Sequence, residues 1–175
     1  MARKPASANR KEEIVSAAVE VFAEIGYYRA TTAKVAERAG ISQPYVFRFF
    51  ATKEDLLAEA LVVSFRRMVE AFGTVISRAE TETLEQELVG AYVGIMESYR
   101  SEILLQMQAQ AMVEPRIIGI MQEGFREVRT LIEDAFRQAG IEKPKQRTLI
   151  FLARGMLCNI SMSLDLPDLM EEEDV

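Results

Sequence analysis

The stretch TTAKVAERAGISQPYVFRFFATKEDL, residues 31–56, decides the fold because it sets small and apolar residues at a fixed spacing. Gly40 lies four positions after Ala36, and Val46 lies six positions after Gly40. Glycine can take the positive φ of a sharp turn, and the small Ala36 side chain lets two short helices cross closely. Val46 then packs back against the first of them. This spacing predicts a helix–turn–helix, whose second helix enters the major groove of DNA.

Further helix signals lie before this motif and within it. An apolar stripe of helical period comes first, formed by Ile14, Ala17, Ala18, Val21, Phe22 and Ile25. Gly26 ends that helix. Either Thr31 or Thr32 can cap the second helix, and Ser42 can cap a third with the sequence QPYVFRFF.

The remaining sequence also predicts helices. Thr52 and Asp55 form a capping-box pattern that starts a long helix ending near residue 78. Further helical stretches are predicted at about 83–99, 101–113, 116–139 and 145–164. We therefore expect an all-α chain of eight to nine helices. A three-helix helix–turn–helix domain, residues 1–52, precedes a helical bundle, residues 53–175, whose acidic tail MEEEDV is expected to fray.

Charge is distributed unevenly along the chain, whose net charge is −6. Residues 1–53 contain nine Lys or Arg and five Glu, a net charge of +4. Residues 54–175 contain 12 Lys or Arg and 22 Asp or Glu, a net charge of −10. A basic first segment is typical of chains that face nucleic acid, although solvated helix faces produce such imbalances as well.

Several classes of protein are disfavoured by what the sequence lacks. No apolar run approaches the roughly 20 residues that cross a bilayer, and MARKPASANRKEE has no apolar core of a secretory signal. We therefore expect a cytoplasmic protein with no membrane partner. The single Cys158 has neither a disulfide partner nor a thiolate partner for a metal, and His is absent. We expect no enzyme activity, no cofactor and no metal site.

Aromatic residues crowd the predicted third helix. Val46, Phe49 and Phe50 share one face, which we expect in the core, whereas Tyr45 and Phe47 point elsewhere. An exposed aromatic ring can pack on a thymine methyl group. The alternative is that these aromatic residues also fill a core.

Polar residues beside these rings suit DNA. Gln43 can bond to adenine through two hydrogen bonds, and Arg48 and Lys53 have the charge and the reach for phosphate. The capped helix start at Thr52 adds positive helix-dipole density. The sequence therefore predicts a DNA-reading surface on this segment.

Residues 9–57 resemble the DNA-binding domain of TetR-like regulators. The likeness rests on the aromatic-plus-glycine end of the first helix, the turn AERAGIS, the aromatic third helix and the start TKEDLL. It implies a ligand-responsive homodimeric transcription regulator, usually a repressor on a palindromic double-stranded DNA operator. The residues expected to contact DNA are Thr31, Thr32, Lys34, Ser42, Gln43, Pro44, Tyr45, Phe47, Arg48 and Lys53.

Two positions depart from the pattern of that family. Tyrosine is common where Phe47 stands, and its hydroxyl meets phosphate. Phe47 cannot make that bond, so Tyr45 is a candidate substitute. Ala33 offers no side-chain hydrogen bond where some members have arginine.

The last two strong helices occupy the place where the resemblance implies a dimer interface. FLARGMLCNISMSL, residues 151–164, is a nearly continuous apolar strip in which Gly155 permits a close helix approach. The expected interface residues are Val128, Ile132, Phe136, Leu149, Leu152, Met156 and Ile160. The alternative is that the last helix is a central buried helix of the monomer.

Methionine and aromatic residues are frequent in the second part of the chain and can line an adaptable cavity. We expect it to bind a small apolar or amphipathic effector through Tyr92, Met96, Tyr99, Met107, Gln108, Met112, Met121, Phe125, Met156 and Asn159. The alternative is that these residues form plain core. Another function also stays open, that of a helical ligand-binding or scaffolding protein that does not touch DNA.

Overall fold

The computed structural model describes residues 6–170, and this part of the chain is all-α, as predicted. Its elements are α1 (Ala6–Ile25), α2 (Thr32–Arg38), α3 (Gln43–Val46), α4 (Lys53–Ile76), α5 (Leu84–Ser98), α6 (Arg100–Ala109), α7 (Pro115–Gln138), α8 (Pro144–Leu164) and a final 3₁₀ helix (Pro167–Met170). Helix α6 ends at Ala109 rather than near residue 113. The acidic tail that we expect to fray lies beyond Met170, outside the described residues.

The turn between α2 and α3 has the form that the spacing predicts. Gly40 has a φ of +65°. Its N–H donates to the carbonyl of Glu37 at 3.1 Å, and the N–H of Ile41 donates to the carbonyl of Ala36 at 2.9 Å. These two bonds form a Schellman C-cap, which satisfies carbonyl groups at the end of a helix. Ala36 and Val46 are both buried in the core, so α3 packs back on α2.

Helix α3 is shorter than predicted. It covers four residues and ends at Val46. The N–H groups of Arg48 and Phe49 then donate to carbonyls three residues back, which tightens the chain into turns. The prediction of a helix through Phe50 is therefore wrong, because the chain must turn to bury that ring, which is 4% exposed.

Side-chain caps fix the starts of two helices. The Thr31 hydroxyl accepts the N–H of Lys34 at 3.2 Å and caps α2. Thr52 and Asp55 form the predicted capping box at the start of α4, with both reciprocal bonds at 3.0 Å. Ser42 makes no side-chain capping bond to α3. That prediction is wrong.

Helix α4 joins the helix–turn–helix to the bundle. It contacts α1 and also α5, α6 and α7, while α6 packs on α1 as well. One continuous hydrophobic core therefore runs through α1, α4 and α7. Because α4 has contacts in both parts, it couples the two predicted domains, residues 1–52 and 53–175. No helix of the described residues is long and apolar enough to cross a membrane.

Helix α7 turns its apolar stripe inward. Val128, Ile132 and Phe136 are 3%, 0% and 0% exposed within the protomer, and α7 packs mainly on α4. Side chains already buried in their own protomer have no surface left for a second copy. The prediction that these three residues form a dimer interface is therefore wrong.

Candidate nucleic-acid interface and effector cavity

The segment from Ser42 to Arg48 presents most of its predicted contact residues to solvent. Ser42, Gln43, Pro44, Phe47 and Arg48 are exposed, and the Phe47 ring is 48% exposed. Tyr45 is half-buried because it packs edge-on against Phe49, with ring centroids 5.5 Å apart. The predicted surface is therefore available to a partner.

Gln43 is held in place by Thr32. One amide N–H of Gln43 donates to the Thr32 hydroxyl at 2.9 Å. The second N–H and the amide oxygen stay available, and these are the donor and acceptor that adenine requires. Thr32 itself is only 8% exposed. The Thr32 hydroxyl therefore orients the Gln43 amide, and a direct contact of Thr32 with DNA stays a prediction.

Arg48 is also positioned by a neighbour. Its guanidinium lies over the Tyr45 ring, 5.1 Å from the centroid. This cation–π contact restricts the long side chain and keeps the charge beside the exposed Phe47. Phe49 and Phe50 pack on the core, as expected. The segment thus combines an oriented amide, an oriented cation and an exposed ring.

Lys53 has a structural task that sequence analysis missed. Its ammonium group donates to the carbonyl oxygens of Tyr27 at 2.9 Å and Ala30 at 3.0 Å, and it lies 4.3 Å from the centroid of the Tyr27 ring. An ammonium has three N–H groups, so one remains for a phosphate. Lys34 and Thr31 are exposed at the start of α2.

A cavity of about 580 Å³ lies between α4, α5, α7 and α8. Of the ten residues that sequence analysis proposed for the effector, four line it: Tyr92, Phe125, Met156 and Asn159. The lining residues that sequence analysis missed, or assigned to the dimer interface, include Met68, Phe72, Gln106, Gln122, Arg126, Val128, Arg129, Leu149, Phe151 and Leu152. These residues come from α4, α6, α7 and α8, and only the packing of these helices brings them to one cavity.

Five other proposed effector residues lie elsewhere. Met112 and Met121 are buried core residues, and Met107 packs against that core. Gln108 donates to the carbonyl of Ala23 on α1 at 3.0 Å, and Tyr99 lies in a polar groove beside α1. These five residues therefore do not line the cavity of about 580 Å³.

Tyr92 lies at the wall of the cavity and is firmly held. Its hydroxyl is 2.5 Å from Oδ1 of Asn159 and 3.3 Å from the carbonyl oxygen of Gly155. Burial raises the pKa of Tyr92 to about 12, although the bond with Asn159 opposes that rise. The hydroxyl is therefore protonated at neutral pH and serves as a donor. Its partners Asn159 and Gly155 both belong to α8, so this bond ties α5 to α8.

The N-terminus of α7 touches the helix–turn–helix domain. Arg116 forms an ion pair with Asp55 at 2.5 Å, and the Tyr28 hydroxyl lies 3.5 Å from Oε1 of Glu114. The Arg116 guanidinium, with the Thr52 hydroxyl, lowers the pKa of Asp55 from its ordinary value. Helix α7 therefore runs from the capping box of α4 to the cavity.

Known proteins resemble the chain in two ways. Residues 14–60 match the family of bacterial regulatory proteins described as the tetR family. The transcriptional regulator HbdR of Aromatoleum is 23% identical over 133 residues, which cover 73% of this chain and 56% of HbdR. The chain thus spans about half the length of that curated relative.

Two solved structures share the fold. The transcriptional regulator FadR of Bacillus subtilis, in complex with stearoyl-CoA, superposes with a TM-score of 0.73 at 18% identity and covers 88% of each chain. A TetR-like transcriptional regulator of Rhodococcus has a TM-score of 0.70 at 18% identity over 97% of this chain and 90% of its own. Residues 14–60 thus match the tetR family of bacterial regulatory proteins, and the chain as a whole shares the fold of these two regulators.

Proposed function

We propose that the chain is a homodimeric transcription repressor that binds a palindromic operator and is released by an amphipathic effector. The observation that carries the proposal is the exposed segment Ser42–Arg48, set on a fully packed helix–turn–helix. Gln43 reads a base, Arg48 contacts phosphate, and Phe47 packs on a base methyl group. In a symmetric dimer the two segments must lie about 34–36 Å apart to reach adjacent major grooves.

The dimer is supported by the outer face of α8. Several apolar residues lie on one face about 100° wide and are exposed: Leu149, Ile150, Leu157, Ile160 and Leu164. Leu149 and Leu164 are 67% and 66% exposed. The opposite face of the same helix is packed on the protomer through Phe151 and Asn159. A helix that is apolar on two faces needs a second covering surface, and an equivalent α8 supplies one.

The effector site is the cavity of about 580 Å³, which falls within the usual size of ligand sites, about 300–1,000 Å³. Its walls are mostly apolar, with Gln106 and Asn159 as interior polar groups. Arg126 and Arg129 line the same cavity with exposed guanidinium groups. This arrangement suits a molecule with an apolar chain and an anionic head. The ligand in the structure of the relative FadR, stearoyl-CoA, belongs to that class.

Helix α7 is the proposed link between effector and DNA. Phe125 and Arg126 line the cavity, while Arg116 on the same helix is paired with Asp55 at the start of α4. An effector that binds more tightly when α7 is displaced therefore favours that conformation. The loss of DNA affinity is set by the ratio of the effector's affinities for the two conformations.

The test is salt-dependent binding to DNA from the region upstream of the chain's own gene. We expect Arg48→Ala to weaken binding to every sequence and to reduce the slope of log K against log salt by about 0.9. The matched control is Arg78→Ala, which removes the same charge near the far end of α4, about 36 Å from Thr52. The Arg78→Ala variant should keep the slope of log K against log salt that the original chain shows.

Two results would decide against this function. A ligand-free chain that shifts no upstream DNA at low salt would favour a ligand-binding or scaffolding protein without DNA contact. Equal slopes for the two arginine variants would remove Arg48 from the phosphate contacts. Addition of stearoyl-CoA should release the bound DNA.

Base reading by Gln43 gives a separate prediction. Gln43→Ala should reduce discrimination at one position of each half-site by about 1–3 kcal/mol. Thr32→Val keeps the side-chain shape but removes the acceptor at 2.9 Å, so it should reduce discrimination at the same position by a smaller amount. The double variant should match Gln43→Ala alone, because both changes act on one contact. Additive losses, measured with a panel of single-base operator variants, would show that Thr32 acts independently.

A further inference from the structure

A second cavity, of about 340 Å³, lies between α5, α8 and the final 3₁₀ helix. It shares Tyr92, Phe151 and Gly155 with the effector cavity but has a different chemical character. Four of its lining residues contain sulfur: Met96 from α5, Cys158 and Met162 from α8, and Met170 from the 3₁₀ helix. The three elements therefore bring one thiol and three thioethers to a common space.

Two of the four sulfur atoms, those of Cys158 and Met170, have the spacing of metal ligands. The Cys158 thiol donates to Sδ of Met170, with 3.8 Å between the two sulfur atoms. Two sulfur ligands that each bind one metal ion at about 2.3 Å, with a tetrahedral angle between them, lie about 3.8 Å apart. Met162 follows Cys158 by four residues and lies on the same face of α8. A cation in the place of the thiol proton would thus meet the two sulfur atoms without moving them.

The other lining residues select the kind of cation. Among residues 6–170, no carboxylate and no imidazole lines this cavity. The Ser161 hydroxyl already donates to the carbonyl of Leu166 at 2.8 Å. Within residues 6–170, no three His, Cys, Asp or Glu side chains converge on a point. Hard cations require oxygen ligands, whereas thiolate and thioether ligands prefer soft cations such as Cu(I).

Charge balance narrows the choice to a monovalent ion. The walls are formed largely by Val89, Val93 and Phe151. One thiolate bound to one monovalent cation makes a neutral pair, and the thiol proton leaves to solvent when the cation binds. A divalent ion would leave one uncompensated positive charge among apolar side chains and beside Arg154, which is unfavourable.

We propose that Cys158, Met162 and Met170, with Met96 opposite, bind one soft monovalent cation, Cu(I) or its analogue Ag(I). This site goes beyond the proposed effector function, since it uses different ligands in a different cavity. Sequence analysis excluded a metal because Cys158 has no second thiolate. The fold supplies thioethers instead, from positions that are distant along the chain.

The first test is anaerobic titration of the full chain with Cu(I) in competition with a chromogenic Cu(I) chelator. We expect one equivalent to be retained. Cys158→Ser should abolish retention, and Met162→Leu or Met170→Leu should each weaken it by about tenfold or more. Leucine keeps the apolar volume, so these variants should keep the helical circular dichroism of the original chain. The matched control is Met156→Leu, also on α8 but in the effector cavity, which should retain the ion fully.

A second measurement identifies the ligands directly. The chain has nine methionines, and ¹³C-labelling of their methyl groups gives one NMR signal for each. Addition of one equivalent of Ag(I), which is not oxidised in air, should shift only the signals of Met96, Met162 and Met170.

Three outcomes would overturn the site. The first is failure to retain Cu(I) against the chelator. The second is full retention by both leucine variants, which would show that the thiol alone captures the ion. The third is Ag(I) shifts at methionines outside this cavity, such as Met156.

Discussion

An Ile160→Asp chain is expected to be monomeric and to bind a palindromic operator at least about 100-fold more weakly than the original chain. Ile160 lies in the middle of the exposed apolar face of α8 and is 39% exposed in the protomer. In the proposed dimer the symmetric contact would bury two carboxylates against apolar side chains, which is strongly unfavourable. A monomer loses the second half-site, and with it the high effective concentration that a linked recognition segment provides. Analytical ultracentrifugation would measure the loss of the dimer, and fluorescence anisotropy of labelled operator DNA would measure the loss of affinity on the same sample.

The matched control is Val113→Asp. Val113 is 79% exposed and lies in the turn between α6 and α7 rather than on α8. The Val113→Asp substitution introduces the same charge at another apolar surface position. It should therefore leave both the dimer and its operator affinity unchanged. A dimeric Ile160→Asp chain would show that the interface lies elsewhere. A monomeric Ile160→Asp chain with full operator affinity would contradict the proposed binding of a dimer to a palindromic operator.

The helix–turn–helix could be predicted from sequence because its determinants are local. The positive φ of Gly40 and the capping box of Thr52 and Asp55 each depend on residues within one or two turns of helix. Such signals act before any distant contact is made. What sequence analysis missed here was the length of α3, because burial of the Phe50 ring overrode the local helix preference.

The bundle was harder to predict because periodicity shows that a helix face is apolar without showing what covers it. Ile132 and Phe136 belong to a regular stripe, and the stripe is covered by α4 and α8 of the same protomer. Helix α8 has the weaker pattern, yet five apolar residues on one of its faces are exposed. Local sequence contains no information that separates burial within a protomer from burial between two.

The same ambiguity applies to the methionines. Met112 and Met121 fill the core, Met156 lines the effector cavity, and Met162 lines the sulfur-lined cavity. All four have apolar neighbours in the sequence, and only the packing between helices assigns them a role. A thioether is chemically the same in each place, so its role follows from its neighbours.

A Gly124→Ala chain is expected to be less stable than the original chain by about 1–3 kcal/mol. Gly124 lies on α7 where that helix meets α4, and a methyl group there would overlap the Phe65 ring. The ring has little freedom to move, because Phe65 is 3% exposed and packs edge-on against Phe125, with centroids 5.3 Å apart. To accommodate the methyl group, α7 and α4 would have to separate, or the Phe65 ring would have to leave its rotamer. Urea unfolding followed by circular dichroism would measure the difference.

Helix α7 offers its own control at Gly119. A methyl group at Gly119 would meet no atom within 4 Å, so Gly119→Ala should gain up to about 1 kcal/mol from the better helix propensity of alanine. The two identical substitutions on one helix should therefore change stability in opposite directions. Adding Phe65→Leu to Gly124→Ala should recover part of the loss, since the smaller side chain makes room for the new methyl group, and the two changes should be strongly non-additive. Equal effects at both glycines would mean that α7 and α4 do not approach closely at this point, and the proposed route from the cavity along α7 to the start of α4 would lose its tight packing.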